Sequence, residues 1–226
     1  ARYFSLDVRD ADKVRAVLND VRLVHGPIKA LVHGAGILRD KRILDKTSEE
    51  FQQVFDTKVQ GLENLLAATR EDPLRYIILF SSVAARFGNI GQVDYAVANE
   101  VLNKVAVAEA ARRKDCTVRA INWGPWDGGM VNAGLKKEFE RRGVAMISRQ
   151  LGPLCLLYEL SDHAGAALRW ALDFAGDTAA VRTGQFGALA VALKGVTSFP
   201  LLILLATTAA ADVPPPGSVQ IFFDRD

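Results

Sequence analysis

Short apolar runs alternate with amphipathic helical patterns over the first two thirds of the chain, and this alternation limits the possible folds more than any other feature. The apolar runs predict four strands, at residues 2–6, 28–33, 76–81 and 118–122. The segments between them predict three helices, at residues 11–24, 48–70 and 95–111. Strands that are apolar on both faces belong in a parallel sheet covered by helices, and right-handed crossovers make such a sheet doubly wound. The sequence therefore predicts an α/β fold with a doubly wound parallel sheet.

A doubly wound sheet binds its ligands in the crevice beyond the carboxyl ends of the strands. Four segments of the chain fall at that edge, and each contains glycine or polar side chains: Asp7, Gly34–Gly36, Ser81–Asn89 and Asn122–Met130. We therefore expect the functional residues in these segments.

The pattern weakens after Arg142. Residues 158–174 are compatible with a helix, whereas residues 147–154 lack clear periodicity. Residues 181–226 combine Gly, Ala and Leu with three consecutive prolines and show no regular pattern. We interpret 1–175 as the folded domain and 176–226 as an irregular C-terminal tail or linker.

The charge of the chain argues against a nucleic-acid partner. It has 28 basic and 26 acidic side chains, a net charge of +2, and no basic run with interleaved aromatic residues. Two cysteines, Cys116 and Cys155, are too few for a disulfide framework and predict reduced thiols. The three histidines share no metal-ligand spacing, so no metal site is predicted.

No targeting signal is recognisable in the sequence. The chain starts without Met, signal peptide or transit-peptide character, as though cut from a longer protein. Its longest apolar run, at residues 199–211, is shorter than the roughly 18 residues that a membrane helix needs. A cytoplasmic location without a membrane partner is expected.

The most informative stretch runs from Phe80 to Asn99. It places Ser82 at the end of a predicted strand and Tyr95 at the start of the next predicted helix, with a glycine-bearing loop between them. Tyr95 and Asn99 are four residues apart and share a helix face. In a doubly wound fold, Ser82 and Tyr95 would face the same crevice.

These residue types suit the reduction of a ketone. The carbon must receive a hydride, and the developing alkoxide must receive a proton, which a tyrosine hydroxyl can donate. An unperturbed tyrosine has a pKa of about 10 and needs a nearby cation to lower it. Lys58, on the preceding helix, is the candidate cation, and the hydroxyl of Ser82 can hydrogen-bond the carbonyl oxygen.

The spacing of thirteen residues between Ser82 and Tyr95 is typical of short-chain dehydrogenases/reductases, most of which carry lysine four residues after the tyrosine. This chain has Asn99 there, and Lys58 lies twenty-four residues before Ser82. That exchange resembles the ketoreductase domains of type I polyketide synthases and polyunsaturated fatty acid synthases. Four strings carry the resemblance: His33–Gly36, Lys58–Gly61, Ser82–Asn99 and Asn122–Trp126.

The resemblance implies a Rossmann-like fold and a set of roles for residues at the strand ends. The implied catalytic tetrad is Ser82, Tyr95, Lys58 and Asn99. The implied cofactor is NADP(H), with Asp7 and Val8 beside its adenine, Gly34, Ala35 and Gly36 packed against it, and Pro125 beside its nicotinamide. The segment that closes over the substrate would begin at Met130.

Each of these residues also has a purely structural interpretation. Lys58 alone would be read as a solvated helix lysine, and Asp7 as the cap of the following helix. The glycines at 34 and 36 would then only make a tight turn, and Trp123 and Trp126 would only pack in the core.

The chain departs from the family pattern at the phosphate-binding turn. The Gly-x-Gly-x-x-Gly sequence that holds a pyrophosphate at a helix N-terminus is absent. In the family that turn follows the first strand, so we expect the first βαβ unit to be missing from this chain. We also expect the isolated 226 residues to have weak or no reductase activity.

Two further positions bear on the configuration of the product. Leu38-Arg39-Asp40 resembles the Leu-Asp-Asp loop of ketoreductases that make one alcohol configuration. Phe87 stands where the opposite class often has tryptophan. By resemblance, both favour the B-type (D-hydroxy) product.

The leading hypothesis is NADPH-dependent reduction of a β-ketoacyl thioester on an acyl carrier protein, within a synthase that supplies neighbouring domains. One alternative is a free-standing short-chain dehydrogenase/reductase acting on a small ketone or alcohol. Another is a noncatalytic fragment of a megasynthase. The tetrad counts against the last alternative, while the irregular tail counts for it.

Overall fold

The computed structural model describes residues 3–141, 143–161, 168–170, 201–205 and 218–222. In this part of the chain seven strands form one sheet: β1 (Leu6–Asp7), β2 (Ala30–Gly34), β3 (Tyr76–Ser82), β4 (Thr117–Trp123), β5 (Leu168–Trp170), β6 (Leu201–Leu205) and β7 (Ser218–Phe222). Six helices accompany them there: α1 (Ala11–His25), α2 (Ser48–Ala68), α3 (Ala84–Phe87), α4 (Val93–Arg112), α5 (Ala133–Arg141) and α6 (Leu151–Ser161).

The strands lie in the order β1-β7-β6-β2-β3-β4-β5. Strands β6, β2, β3, β4 and β5 run parallel, with Ala30 opposite Tyr76 and Tyr76 opposite Thr117. Strand β7 is antiparallel to both of its neighbours. The parallel register brings the carboxyl ends of β2, β3 and β4 to one edge of the sheet.

Two apolar cores cover the two faces of the sheet. Leu31 and Ile77 belong to the larger core, which contains buried side chains of α1, α2 and α4. Their sequence neighbours Val32 and Ile78 belong to the second core, together with residues of α6. Adjacent strand residues therefore point into opposite cores, which explains why these strands are apolar on both faces. The predicted α/β fold with a doubly wound parallel sheet is confirmed.

The helix predicted to begin at residue 48 is confirmed as α2, and Thr47 caps its start. The Thr47 side chain accepts a hydrogen bond from the backbone of Glu50, whose carboxylate accepts one from the backbone of Thr47. This capping box fixes the first turn of α2. Further along the same helix, α2 delivers Lys58 to the sheet.

The structure differs from the sequence interpretation at strand β5 and at helices α3, α5 and α6. Residues 168–170 form strand β5 beside β4, so the helix expected over 158–174 is wrong there. Periodicity cannot separate a short apolar strand from a helix, and the pairing with β4 decides the outcome. Helix α6 begins earlier than expected, at Leu151, and neither α3 nor α5 was predicted.

Two segments of the region 176–226 are strands of this sheet. Residues 201–205 pair parallel with β2, from Ala30 opposite Leu201 to Gly34 opposite Leu205. Residues 218–222 pair antiparallel with β6 and β1. The rest of that region lies outside the described residues, and the division of the chain at residue 175 stays a prediction.

None of the described helices is both long enough and apolar enough to cross a membrane. No group of three or more His, Cys, Asp or Glu side chains able to hold a metal ion occurs among the described residues.

Candidate active site

Ser82 and Tyr95 lie at the carboxyl edge of the sheet, as their positions in the sequence predict. Ser82 is the last residue of β3, and its buried hydroxyl oxygen accepts a hydrogen bond from the backbone of Ala84 at 3.1 Å. Tyr95 stands in the first turn of α4 and is half-buried. Burial raises the pKa of the Tyr95 phenol above its ordinary value, and hydrogen bonds with the Ser82 and Asn99 side chains offset only part of this rise. The phenol is thus in contact with two of the three other predicted tetrad residues.

Lys58 completes the group from α2. Its side chain is buried, and its Nζ donates a hydrogen bond to the carbonyl oxygen of Phe80 at 3.0 Å. The same nitrogen lies over the Tyr95 ring, 5.5 Å from the ring centroid. The interpretation of Lys58 as a solvated helix lysine is wrong, because only 3% of the residue is exposed.

The environment of Lys58 perturbs its proton equilibrium. Burial lowers the pKa of the ammonium from 10.5 to about 7. Among the residues that the structure describes, no carboxylate forms an ion pair with it to offset this effect. A buried lysine whose pKa lies near neutrality, next to the ring of Tyr95, marks a candidate functional site.

Asn99 is buried one helical turn after Tyr95. Its side-chain nitrogen donates to the backbone carbonyl of Tyr95 at 2.8 Å. Its own backbone carbonyl accepts a hydrogen bond from the Ser81 hydroxyl at 3.1 Å. Asn99 therefore ties the first turn of α4 to the end of β3, where Ser82 lies.

Two predicted cofactor residues lie at the end of β1: Asp7 is its last residue and Val8 follows it. The Arg9 guanidinium contacts the Asp7 carboxylate through two nitrogens, the shorter distance being 2.6 Å. Partial burial of Asp7 raises its pKa, but the hydrogen bonds from Arg9 outweigh burial and the net pKa is low. Val8 is fully buried against Gly61, where a Cβ atom would come within 2.7 Å of the valine side chain.

The predicted turn Gly34–Gly36 begins at the last residue of β2. Ala35 and Gly36 are buried, and a Cβ atom on Gly36 would lie 3.2 Å from Cε of Lys58 and 3.3 Å from Cε of Met130. Glycine at 36 thus leaves room for the lysine and for the methionine above it. The close approach of these two side chains to the backbone favours glycine at position 36, so this glycine does more than make a tight turn.

Pro125 follows β4 at the same edge of the sheet. Its carbonyl oxygen accepts a hydrogen bond from the backbone of Ile147 at 2.8 Å. Trp123 and Trp126 pack edge to face with ring centroids 4.9 Å apart, and they belong to the second core. These contacts favour the interpretation that the two tryptophans only pack in the core.

The model of the KR domain family matches residues 1–128, which is more than half of the chain. The chain belongs to the KR domain family. It is 44% identical over 153 residues to one subunit of a polyunsaturated fatty acid synthase from a Thraustochytrium species, a match that covers 67% of this chain and 5% of that protein. It is 35% identical over 162 residues to the polyketide synthase PksL of Bacillus subtilis, a match that covers 69% of this chain and 3% of that one. The chain therefore spans a small fraction of the curated relatives it matches.

Solved structures agree with this assignment. A ketoreductase domain from the bacillaene assembly line superposes with a TM-score of 0.62 at 33% identity, covering 68% of this chain and 39% of the other. The structure of ElxO with NADP bound superposes with a TM-score of 0.61 at 15% identity, covering 73% of each chain, and supports the fold alone. The resemblance to ketoreductase domains of polyketide and polyunsaturated fatty acid synthases is confirmed, and with it the oxidoreductase class of this KR domain.

One supporting residue of this KR domain was not predicted as functional. His33 is fully buried in β2, and its Nε2 lies 2.9 Å from the backbone carbonyl of Lys58. Burial and the Lys58 charge lower its pKa to about 3, so the ring is neutral and Nε2 must carry the hydrogen that it donates. His33 thereby holds the backbone that carries Lys58. Only its place before Gly34 could have drawn attention to it.

A buried amide network under the site also escaped sequence analysis. The Ser81 hydroxyl and the Asn103 side-chain nitrogen approach Oδ1 of Asn122 at 3.2 and 3.0 Å. All three side chains are buried. These buried hydrogen bonds tie α4 to β3 and β4 below the catalytic group.

The residues of this KR domain fit the nicotinamide end of a cofactor, whereas the turn that would hold its pyrophosphate is absent from the sequence. Gly36 keeps open the space beside Lys58 and Met130, and Tyr95 and Ser82 are in contact beside it. Asp7, although paired with Arg9, keeps about a third of its side chain exposed at the end of β1. The sequence contains no Gly-x-Gly-x-x-Gly turn to hold the pyrophosphate.

Proposed function

We propose that this KR domain reduces the β-keto group of an acyl thioester carried on an acyl carrier protein to a β-hydroxy group, with NADPH as the reductant. The observation that carries the proposal is the buried Lys58 ammonium over the ring of a tyrosine that also contacts Ser82. The named relatives are a polyunsaturated fatty acid synthase and polyketide synthases, which supports a carrier-bound substrate and neighbouring synthase domains.

Tyr95 is the proposed proton donor. When bound, the nicotinamide supplies the hydride that the carbonyl carbon receives. The carbonyl oxygen then takes the phenolic proton of Tyr95, so that the product is the neutral alcohol and the tyrosine is left as a phenolate. The Lys58 cation, 5.5 Å from the ring centroid, favours that negative charge.

Ser82 and Asn99 are the proposed partners of this step. The Ser82 hydroxyl hydrogen-bonds the carbonyl oxygen and stabilises the charge that develops on it. Asn99 fixes the backbone of Tyr95 and hydrogen-bonds its phenol. These two residues orient the acid and the ketone relative to one another, which is a large part of catalysis in such a site.

The proposed cofactor contacts follow the strand ends. The backbone of Gly34, Ala35 and Gly36 packs against the cofactor, and Pro125 lies beside the nicotinamide. Asp7 and Val8 lie beside the adenine, where the Asp7 carboxylate would exchange part of its contact with Arg9 for the ligand.

The test compares carrier-bound and free ketones. The KR domain is assayed with NADPH and a β-ketoacyl group, either on an acyl carrier protein or as a small free ketone, and NADPH oxidation is followed by its near-ultraviolet absorbance. We expect a clearly higher kcat/KM for the carrier-bound substrate. Equal or better turnover of the small free ketone would favour a free-standing reductase, and no turnover of either by a form that binds NADPH would favour a noncatalytic domain.

A further inference from the structure

Lys46 and Asp94 form an ion pair that is almost completely buried beside the start of α4. The Nζ of Lys46 lies 2.7 Å from Oδ2 of Asp94, and the two side chains are 3% and 1% exposed. Lys46 belongs to the loop between β2 and α2, whereas Asp94 immediately precedes Tyr95. Removing two charges from water is unfavourable unless further hydrogen bonds satisfy them.

The remaining atoms of the pair make such bonds, and both go to backbone groups of the site. The Nζ of Lys46 also donates to the carbonyl oxygen of Arg39 at 2.5 Å. The other carboxylate oxygen of Asp94 accepts the backbone N–H of Tyr95 at 2.9 Å. An unbroken chain of polar contacts thus joins Arg39 to Tyr95.

Helix α4 depends on this carboxylate because it lacks an ordinary cap. Its N-cap residue, Gln92, makes no side-chain capping hydrogen bond. The first N–H groups of a helix have no partner within the helix, and a negative charge in the first turn is favoured there. Asp94 is the acidic residue of that turn and takes the place of the cap.

Two further contacts join the same loop and the residues that precede α4. The backbone N–H of Lys41 donates to the carbonyl of Gly91 at 3.0 Å, and the Gln92 side chain donates to Asp40 at 2.8 Å. The Gln92 contact is exposed to water, where polar interactions contribute little. Of the two side-chain contacts, the buried pair is the one that can fix the spacing.

We propose that Lys46 and Asp94 are positioning residues that hold the phenol of Tyr95 in register with the Leu38–Asp40 loop. Neither residue touches the ketone. They act through the backbone of Arg39 and the backbone of Tyr95. The proposal rests on the function proposed above.

The test uses two variants of the pair and one matched control. Asp94→Asn removes one charge and leaves the other buried, whereas Lys46→Met with Asp94→Leu replaces both by apolar side chains. Asp72→Asn is the control, because Asp72 also pairs with a cation and accepts a backbone N–H, but it does so away from Tyr95. It binds Arg22 at 2.5 Å and accepts the backbone N–H of Ile28 at 3.0 Å. Arg22 likewise donates to a backbone carbonyl, that of Ala68, at 2.6 Å.

We expect kcat to fall by about tenfold or more in Asp94→Asn and in the double variant, since small displacements of a reacting group carry losses of this order. KM should change much less. The double variant should recover thermal stability, because apolar replacement of a buried ion pair is often neutral or stabilising. Asp72→Asn should lose stability while its folded form keeps kcat. Recovery of kcat together with stability in the double variant would overturn the proposal, since the pair would then be only structural.

Hydrogen exchange on the same proteins tests the pair without any turnover. We expect faster amide exchange in residues 38–46 and 93–99 together in Asp94→Asn, and unchanged exchange in both segments in Asp72→Asn. Unchanged exchange in both segments of Asp94→Asn would reject the coupling. Lys46→Arg, which keeps the charge, should retain most of kcat.

The Tyr95→Phe variant separates this proposal from the proposed function. If Tyr95→Phe reduces ketones as fast as the unmodified domain, the proposed function fails, while the exchange measurement still decides whether Lys46 and Asp94 couple the two segments.

Discussion

The Nζ of Lys58 lies 5.5 Å from the centroid of the Tyr95 ring, although the two residues belong to different helices. Lys58 comes from α2 and reaches the carbonyl of Phe80 in β3, whereas Tyr95 starts α4. Most short-chain reductases carry the lysine on the tyrosine's own helix. Here the cation and the acid meet only because α2 and α4 pack side by side on one face of the sheet.

Tyr95→Phe is expected to lower kcat by about 10²- to 10⁴-fold, because it removes the proton donor and leaves the ring in place. Steady-state oxidation of NADPH measures the loss, and circular dichroism confirms the fold. Tyr76→Phe is the matched control, since Tyr76 lies at the other end of β3 and should keep full activity. Similar losses in both variants would contradict the assignment.

The buried Lys58 makes stability depend on pH. The pKa of Lys58 is about 7 in the folded chain, whereas the unfolded chain has the ordinary value of 10.5. Between these two pH values the folded state therefore binds fewer protons than the unfolded state. Stability therefore increases with pH across that window, and the full penalty of burying the charge is present below about pH 7. Lys58→Met should relieve this penalty, so its advantage in the free energy of unfolding should be greatest below pH 7 and shrink towards pH 10.5.

Urea unfolding at several pH values on both sides of neutrality measures this difference. The same substitution should abolish most of the activity, because it removes the cation beside Tyr95. An advantage in the free energy of unfolding that stays constant with pH would show that the lysine does not titrate in this window.

Gly36→Ala should disturb the site without unfolding the domain. The added Cβ atom would lie 3.2 Å from Cε of Lys58 and 3.3 Å from Cε of Met130, so both side chains must move. We expect kcat to fall by about tenfold with little change in melting temperature. Gly134→Ala is the control, because its Cβ would meet Oδ1 of Asn132 at an ordinary 3.4 Å. Full activity of Gly36→Ala would show that the lysine tolerates displacement.

The sequence predicted the parts of the site that are local in the chain. Ser82, Tyr95 and Asn99 lie on one strand–loop–helix unit, so their spacing and the predicted elements place them together. Lys58 was named as a candidate cation on the preceding helix and was supported by the family resemblance, but nothing in the pattern of its own helix shows that it is buried.

The contacts that sequence analysis missed join residues far apart in the chain. Lys46 and Asp94 are separated by 48 positions. A lysine just before a helix and an aspartate in the first turn of another helix are both common, so neither residue stands out in the sequence. Likewise, residues 201–205 join β2 by a pairing that no local pattern specifies, because parallel strands are joined by long connections rather than by a tight turn.

The isolated 226-residue chain should bind NADPH weakly and turn over slowly, because its sequence contains no Gly-x-Gly-x-x-Gly turn for the pyrophosphate. Titration of NADPH fluorescence measures the affinity. Joining the chain to the coding sequence that precedes it, if this supplies the turn, should raise both affinity and kcat/KM. Robust turnover of a β-ketoacyl thioester by the 226 residues alone would contradict this expectation.

The family resemblance predicts the configuration of the product from two positions, Phe87 and the Leu38–Asp40 loop. Phe87 ends α3 and is 76% exposed, and Asp40 of that loop accepts a hydrogen bond from Gln92. With phenylalanine rather than tryptophan at 87, we expect the D-hydroxy product from the unmodified domain, as determined by chiral chromatography of the released acid. Arg39→Asp, which restores the Leu-Asp-Asp loop, should keep that configuration, while Phe87→Trp should raise the share of the L-hydroxy product. An L-hydroxy majority from the unmodified domain would show that these two positions do not control which face of the ketone meets the hydride.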